Sequence, residues 1–597
     1  MPDPVVPNPD PKINFLPPDL PVGHYFPLKT PPPDPGIFEI GLVLGGTVSA
    51  AAYTAGVVDF LIQALDAWTL AKNAGGAPTH KVIIKIFAGT SGGALTSVLL
   101  ARILCSGFPH VDAATPAATR ALNPLYDCWV NQVDITDMLA TSDLGGTSVP
   151  SLLCATKLDT MGTRIANYAP IPLGAASNTP PVRDYVEQKL PIVLTLTNLR
   201  GVPYSADFRG TSGRAEYYSN YADHVRFKAD ITGKSPPTAA DIAPFEIGIA
   251  QTPTAVCQGW ATAIHAARGS SAFPVGLPPQ RIQRDPQHYR YRYAIIDDVD
   301  PTAPPSVEWL RPSWPYMIPV GDAPTTPYEF LAVDGGCFNN EPTEYARQWL
   351  AGVTAHNERD GTKAHRAVLL VDPFADVPGV GALTDSGLLD TALSTVGAFT
   401  KGTRFETADL DLYTAEDLYS RFLVNPVRKV TPSGSSTPSV VTGGAAIATN
   451  PLGAFGGFLS SHFREHDFLL GRRNCQEFLR TEFVLPESNS LFDAPRWTHG
   501  QRDDYAKDGC LPIIPLIGAL KNEIPQPPWP KGAFQPESIR DAVEARLSKL
   551  ADVALKSSLG DLAGPAAWAV GPVIAAVADK AIDAIKSALG AKGVDLL

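Results

Sequence analysis

Three short glycine-containing segments hold the residues best suited to chemistry. Gly89-Thr90-Ser91-Gly92-Gly93 is a Gly-x-Ser-x-Gly sequence. Glycines flank the serine because a turn this sharp leaves no room for side chains beside it, and the hydroxyl is pushed outward. A helix starting at the serine would aim its free N–H groups and positive dipole end at any anion formed there. Gly45-Gly46-Thr47 is a second glycine turn, whose backbone N–H groups suit the oxyanion of acyl transfer. Asp334-Gly335-Gly336 is a third, and it carries a carboxylate able to accept a proton.

Each turn follows an apolar run that reads as a strand. Ile37–Leu44 precedes Gly45, Lys81–Ala88 precedes Gly89, and Phe330–Val333 precedes Asp334. Helical spacing follows the first two, with Val57, Phe60, Leu61, Leu65 and Trp68 on one stripe and Ala94–Arg102 after the serine. Strand, helix, strand, helix predicts a mostly parallel sheet with helices on both faces, an α/β/α sandwich. In such sheets ligand sites gather at the C-terminal strand ends. Ser91 and Asp334 are both expected there. Further strands are expected at Pro191–Asn198 and His365–Val371, and a helix at Ala261–Ala267.

The 597 residues are 44% hydrophobic and 18% charged, enough for a sizeable core. A net charge of −12 argues against nucleic acid as a partner and against purely electrostatic attachment to an anionic membrane. The seven cysteines at 105, 128, 154, 257, 337, 475 and 510 lack any Cys-x-x-Cys pair and read as reduced thiols, which favours a cytoplasmic or peripheral membrane location. No signal peptide is recognised. The apolar stretch Leu562–Ala578 comes closest to a membrane span, and Gly564-Pro565 and Gly571-Pro572 are expected to break it.

The order and flanking structure of the three turns resemble the patatin-like phospholipases, lipid acyl hydrolases whose glycine-rich oxyanion turn, Gly-x-Ser-x-Gly elbow and Asp-Gly-Gly/Ala turn come in this sequence. Ala266–Pro274 is similar to the family's stretch before the aspartate, and His466–Cys475 to a segment of some bacterial members. The resemblance covers about residues 37–375. It implies a three-layer fold and a Ser-Asp dyad, with Ser91 attacking the acyl carbonyl and Asp334 taking its proton. It places the oxyanion hole at Gly45, Gly46 and Thr47, with Gly89 and Gly93 shaping the elbow and Gly335 and Gly336 the aspartate turn. No cofactor or metal is implied, and the partner is a lipid substrate on a membrane or micelle surface. The family's turn reads Gly-Gly-Gly-x-Arg/Lys-Gly. This chain has Thr47, Ser49 and Ala50 at the third glycine, the basic residue and the last glycine. Thr47 keeps the turn only if its φ is negative.

Two other readings stay open. A Ser-His-Asp esterase would draw on His356 or His365, which follow Asp334 in the chain. A patatin fold without activity would bind lipid or protein. His462 and His466, four residues apart, read as an ordinary polar helix face. Around the catalytic domain (37–375) the sequence divides into a proline-rich arm (1–36) holding 13 prolines, an insertion at about 275–328, an extension (376–534) with a flexible loop at about 430–447, and an Ala-rich helical region (535–597). That last region is expected to pack as a helical cap, or to lie on a membrane with Trp568 at the interface. Within the insertion Tyr289-Arg290-Tyr291-Arg292-Tyr293 reads as an edge strand with a solvated arginine face, or with its arginines on phosphate.

Overall fold

The computed structural model describes residues 26–374 and 418–597, apart from 167, 169–170, 172, 175–178, 207–215, 232–244, 248–257, 297–302, 304, 311, 319–325, 432–436, 560–562 and 592. Residues 1–25 of the arm therefore lie outside the described residues. So do 432–436 of the loop, Cys257 and the side chain of Trp568.

The central sheet grows from β1 (Ile37–Leu44), β2 (Lys81–Gly89), β3 (Lys189–Ala206), β4 (Glu216–Asp230), β5 (Phe245–Ile247), β6 (Gln280–Arg284), β9 (Tyr328–Val333), β10 (Arg366–Val371) and β11 (Arg421–Val424). The shorter β7 (Tyr293–Ile296) and β8 (Ser306–Trp309) pair only with each other. Among the described residues the strand order is β11-β10-β1-β2-β3-β4-β5, with β9 on β3 and β6 on β9. The five strands from β11 to β3 are parallel. Period-two alternation sends neighbouring residues of these strands to opposite faces. Phe38, Ile40, Leu42 and Leu44 of β1 pack under α1 (Ala51–Asn73) and α2 (Gly92–Ile103). Val43 of β1, with Ile86, Ala88, Val193, Val368 and Leu370, packs against Ala346 and Leu350 on the other face. That is the expected three-layer sandwich.

Two further helices flank the site, α3 (Thr156–Ala166) and α4 (Gln258–Ser270); α5 (Thr343–Ala351) covers the second face. From the extension, α6 (Ser461–Thr481) packs along α1. Their contact is close because Gly56 and Gly471 face each other's backbones. A Cβ at Gly56 would overlap the Phe468 carbonyl, and one at Gly471 the Tyr53 carbonyl. A buried polar clamp fixes the register. Asp59 of α1 pairs with Arg472 of α6 and also accepts from Asn123 Nδ2 at 2.7 Å. α1 with its preceding turn, Val48–Asn73, is the one helix among the described residues long and apolar enough to cross a membrane. Its apolar window is 89% buried in the sandwich, so it is a core helix.

Four expectations need correction. Residues 286–291 form a 3₁₀ turn, with a strand only from Tyr293. Tyr289 and Tyr291 are buried, and Arg292 is held by buried Asp223 instead of water. Pairing of Arg284 and Arg292 with one carboxylate pulls the segment inward. The loop expected at 430–447 is, where described, a two-stranded ribbon of β12 (Val427–Val430) and β13 (Ser439–Thr442) followed by a 3₁₀ turn. His462 is exposed but His466 is buried, with Nδ1 2.7 Å from Asp467 Oδ1. Last, the chain after 562 is one helix through Pro572, following α7 (Arg540–Leu559): α8 (Ala563–Leu589). Pro565 falls in its first turn, where an N–H has no helical acceptor anyway. Ile582, Ile585 and Leu589 of α8 pack with Phe463 and Leu459. At the other terminus, Phe26 is buried and stacked under Arg226, and Thr30 N–H donates to Ala351 O at 2.8 Å, so residues 26–36 strap the domain.

Gly471→Ala and Gly56→Ala are each expected to destabilise the fold by about 1–3 kcal/mol through overpacking. Gly500→Ala, where a Cβ meets nothing within 4 Å, should change stability by no more than about 0.5 kcal/mol. Urea unfolding followed by circular dichroism measures all three.

Candidate active site

β2 delivers Gly89 to the C-terminal edge of the sheet, level with Leu44 of β1 and Leu194 of β3. Two residues later Ser91 takes φ 53° and ψ −125°, a strained conformation for a residue with a Cβ, and α2 begins at Gly92. The glycines are sterically required. A Cβ at Gly93 would overlap the Leu44 and Gly45 carbonyls, and one at Gly89 would press on the Gly93 carbonyl and Ser97 Oγ. Thr90 pins the elbow from below, with Oγ1 2.7 Å from Thr195 Oγ1 and its N–H on Leu44 O. Two neighbouring serines hold the serine backbone. Ser91 N–H donates to Ser270 Oγ at 2.9 Å, and Ser271 Oγ donates to Ser91 O at 2.7 Å.

Asp334 reaches the same edge by a route the sequence does not reveal. β9 is antiparallel to β3, pairing Val333 with Thr197 and Ala332 with Asn198. β3, at 18 residues, overshoots the sheet edge, and β9 returns along the overhang toward the parallel strands. Its last residues therefore point back at Ser91. Ser91 Oγ donates to Asp334 Oδ2 at 2.7 Å. The other carboxylate oxygen, Oδ1, accepts the Gly336 N–H at 2.8 Å. The Asp334 backbone is tied by its N–H to Ala272 O and by its carbonyl to Thr197 Oγ1. Gly335 lies flat on Thr195, where any Cβ would overlap the backbone. Asn340 fills the space left by two glycines, its Oδ1 lying against both Gly46 and Gly336.

The Ser91 and Asp334 side chains are both buried. Among the described residues no cation pairs with Asp334. Burial pushes its carboxyl up to about 6, even though the hydrogen bonds from Ser91 and Gly336 favour the ionised form. The histidines are placed elsewhere. His356 is exposed, and His365 sits before β10, level with the start of β1, with its Nδ1 on Lys363 O. Six residue steps of strand, roughly 20 Å, separate that level from the elbow.

The glycine turn differs from expectation in its donors. Gly45 N–H already donates to Val371 O and Gly46 N–H to Asn340 O, each at 3.2 Å. Thr47 has φ −138°, so the threonine keeps the turn without strain. Among the described residues, the N–H groups of Thr47, Val48 and Gly92 have no acceptor. The Thr47–Val48 segment packs directly on Gly92, whose Cβ would touch Thr47 Oγ1 and Val48 O. Of the three donors expected, Thr47 is thus free and Gly45 and Gly46 are bonded, while Val48 and Gly92 are free beside it. Sequence reasoning also missed Thr90, Thr195, Thr197 and Asn340. Ser270 and Ser271 lay within the stretch before the aspartate, but nothing in their spacing showed that they grip Ser91.

A narrow apolar cleft lies beside the residues that hold Ser91 and Asp334. Leu95 and Leu99 of α2, Met161 and Ile165 of α3, Trp129 and Leu277 line it. Ser271 and Ala272, which hold Ser91 and Asp334, form its inner wall.

The family described as patatin-like phospholipase matches residues 42–347, a span holding all three turns. The uncharacterized protein y4iI of Sinorhizobium fredii (strain NBRC 101917 / NGR234) is 33% identical over 533 residues, covering 82% of this chain and 72% of that protein. The crystal structure of VipD from Legionella pneumophila aligns over 94% of this chain and 88% of that one at 10% identity, with a TM-score of 0.20. With the family span and the extended likeness to y4iI in agreement, this chain belongs to the patatin-like phospholipases, hydrolases acting on lipid esters.

Proposed function

We propose that the chain hydrolyses carboxylic esters of phospholipids or related lipids through Ser91 and Asp334. The observation that carries this reading is the 2.7 Å hydrogen bond from Ser91 Oγ to a buried carboxylate, made at an elbow with positive φ. Ser91 Oγ attacks the acyl carbon as its proton passes to Asp334 Oδ2. The carbonyl oxygen becomes an oxyanion, met by the free N–H groups of Gly92, Thr47 and Val48. Collapse breaks the ester C–O bond, and Asp334 returns the proton to the departing alcohol. Water then attacks the acyl-enzyme, giving its proton to Asp334, and the fatty acid leaves as Ser91 recovers its hydrogen. A carboxylate raised toward 6 is a better base than an ordinary one, which suits a dyad without histidine. The apolar cleft beside Ser271 suits an acyl chain, and a lipid on a membrane or micelle surface is its source.

Ser91→Ala and Asp334→Asn are each expected to lower kcat/KM by about 10³-fold or more on phosphatidylcholine vesicles or a soluble ester, with His365→Ala within about twofold of wild type. Equal loss in His365→Ala would restore the triad. A wild type inert to esters and to a fluorophosphonate probe would make the protein a binding module.

Asp334 acts as base only when ionised. kcat/KM should therefore fall about tenfold per pH unit below about 6 and level off above it. A profile flat from pH 4 to 8 would remove Asp334 from the base role.

Leu99→Trp should fill the cleft and lower kcat/KM for long-chain esters by about tenfold or more, leaving short-chain esters near wild type. A chain-length series measures this directly.

A further inference from the structure

The family pattern places Arg or Lys at the position of Ser49, and this chain has no positive charge there. The hydroxyl instead joins a segment about a hundred residues beyond the family span. Ser49 is fully buried. Its N–H donates to Ala454 O at 3.3 Å, its Oγ donates to the same carbonyl, and Gly457 N–H donates to Ser49 Oγ at 3.0 Å. The residue just before it, Val48, sits at φ 47°, a conformation that a β-branched side chain takes only when its surroundings impose it. Val48 also carries one of the free N–H groups beside Gly92.

The partner segment is itself held firmly. Leu452, Gly453 and Ala454 run consecutively at φ 61°, 63° and 72°. Ala454 N–H returns to Asn450 O and Gly456 N–H to Pro451 O, each at 2.8 Å. Below the loop, Asp467 of α6 accepts from Ala448 N–H, Thr449 N–H and Thr449 Oγ1 at 2.6–2.9 Å. Arg464 of α6 donates to Gly457 O at 2.5 Å. Gly457 has no room for a Cβ, which would lie 2.5 Å from Ser49 Oγ and 2.6 Å from Thr449 Cγ2. Phe455, between these contacts, packs edge-on to Phe273 at 5.5 Å, one residue from the Ala272 carbonyl that holds Asp334. The loop thus touches both the oxyanion turn and the backbone that supports the dyad.

We propose that Ser49 is a positioning residue, and that residues 449–457, anchored on α6, fix the strained Val48 and so aim the free N–H groups of Thr47 and Val48 at the oxyanion. In this chain an uncharged hydroxyl braced by the C-terminal extension serves where the family pattern has a basic side chain. The inference rests on the reading of Ser91 and Asp334 given above. Donors positioned this way act on the tetrahedral state and hardly on the bound ester.

The test is the full-length chain carrying Ser49→Ala, which removes the hydroxyl, or Gly457→Ala, which displaces it without removing a polar group. Thermal unfolding shows which variants fold. In either folded variant kcat is expected to fall about 10- to 100-fold with KM within about twofold, since a misaligned oxyanion donor weakens only the transition state. Affinity for a trifluoromethyl ketone, which forms the tetrahedral adduct on Ser91, should fall in parallel, while affinity for a non-hydrolysable ether lipid stays constant. Ser49→Thr, which keeps a hydroxyl, should recover most of kcat. Unchanged kcat and ketone affinity in a folded variant, beside an active wild type, overturns the positioning role and leaves the dyad standing. A loss confined to KM overturns it as well. A wild type with no esterase activity removes the dyad and this inference together.

Discussion

The buried hydrogen bond between Ser91 and Asp334 sets the demands that the surrounding structure meets. A carboxylate out of water, with no cation beside it among the described residues, is unfavourable in its ionised form, and two hydrogen bonds, from Ser91 Oγ and Gly336 N–H, stabilise that form. Both depend on where the backbone holds Ser91 and the Asp334 turn. Glycine occurs where backbones must touch, Gly93 on Leu44 and Gly335 on Thr195, and where the Asn340 side chain packs, at Gly46 and Gly336. Thr90, Thr195, Thr197, Ser270 and Ser271 then bind the elbow and the aspartate turn to the strands and to α4. The polar side chains around the dyad are mostly devoted to holding main chain.

The extension beyond the family span is part of the same core. α6 meets α1 through a glycine on each helix, and Arg472 reaches Asp59 across the contact. Because α1 follows the Gly45–Ala50 segment directly, anything that fixes α1 also constrains that segment. The loop on Ser49 adds a second tie from the same helix. This arrangement makes the C-terminal half hard to separate from the site, although its residues stand far from Ser91 in the chain.

Much of the sandwich was legible in the residues. β1 ends at Leu44 and β10 at Val371, where apolar runs give way to other chemistry, and α1 follows the stripe from Val57 to Trp68. Local patterns failed where a distant charge decided the outcome. Tyr289–Tyr293 alternates like a strand, yet Asp223 draws Arg284 and Arg292 inward and the segment winds into a turn. His466 has the spacing of a surface helix face but lies beneath Trp529.

The sequence by itself determined the three turns, their order and the candidate residues Ser91 and Asp334, because tight turns and apolar strands leave local signatures. It could not determine strand direction. Asp334 reaches the sheet edge through an antiparallel strand on the overhang of β3, and pairing partners are set by packing across the chain. Nor could it show which N–H groups of the glycine turn stay free. Gly45 and Gly46 look free in the sequence, and only folding brings Val371 and Asn340 within reach of their N–H groups, while those of Thr47, Val48 and Gly92 have no acceptor among the described residues.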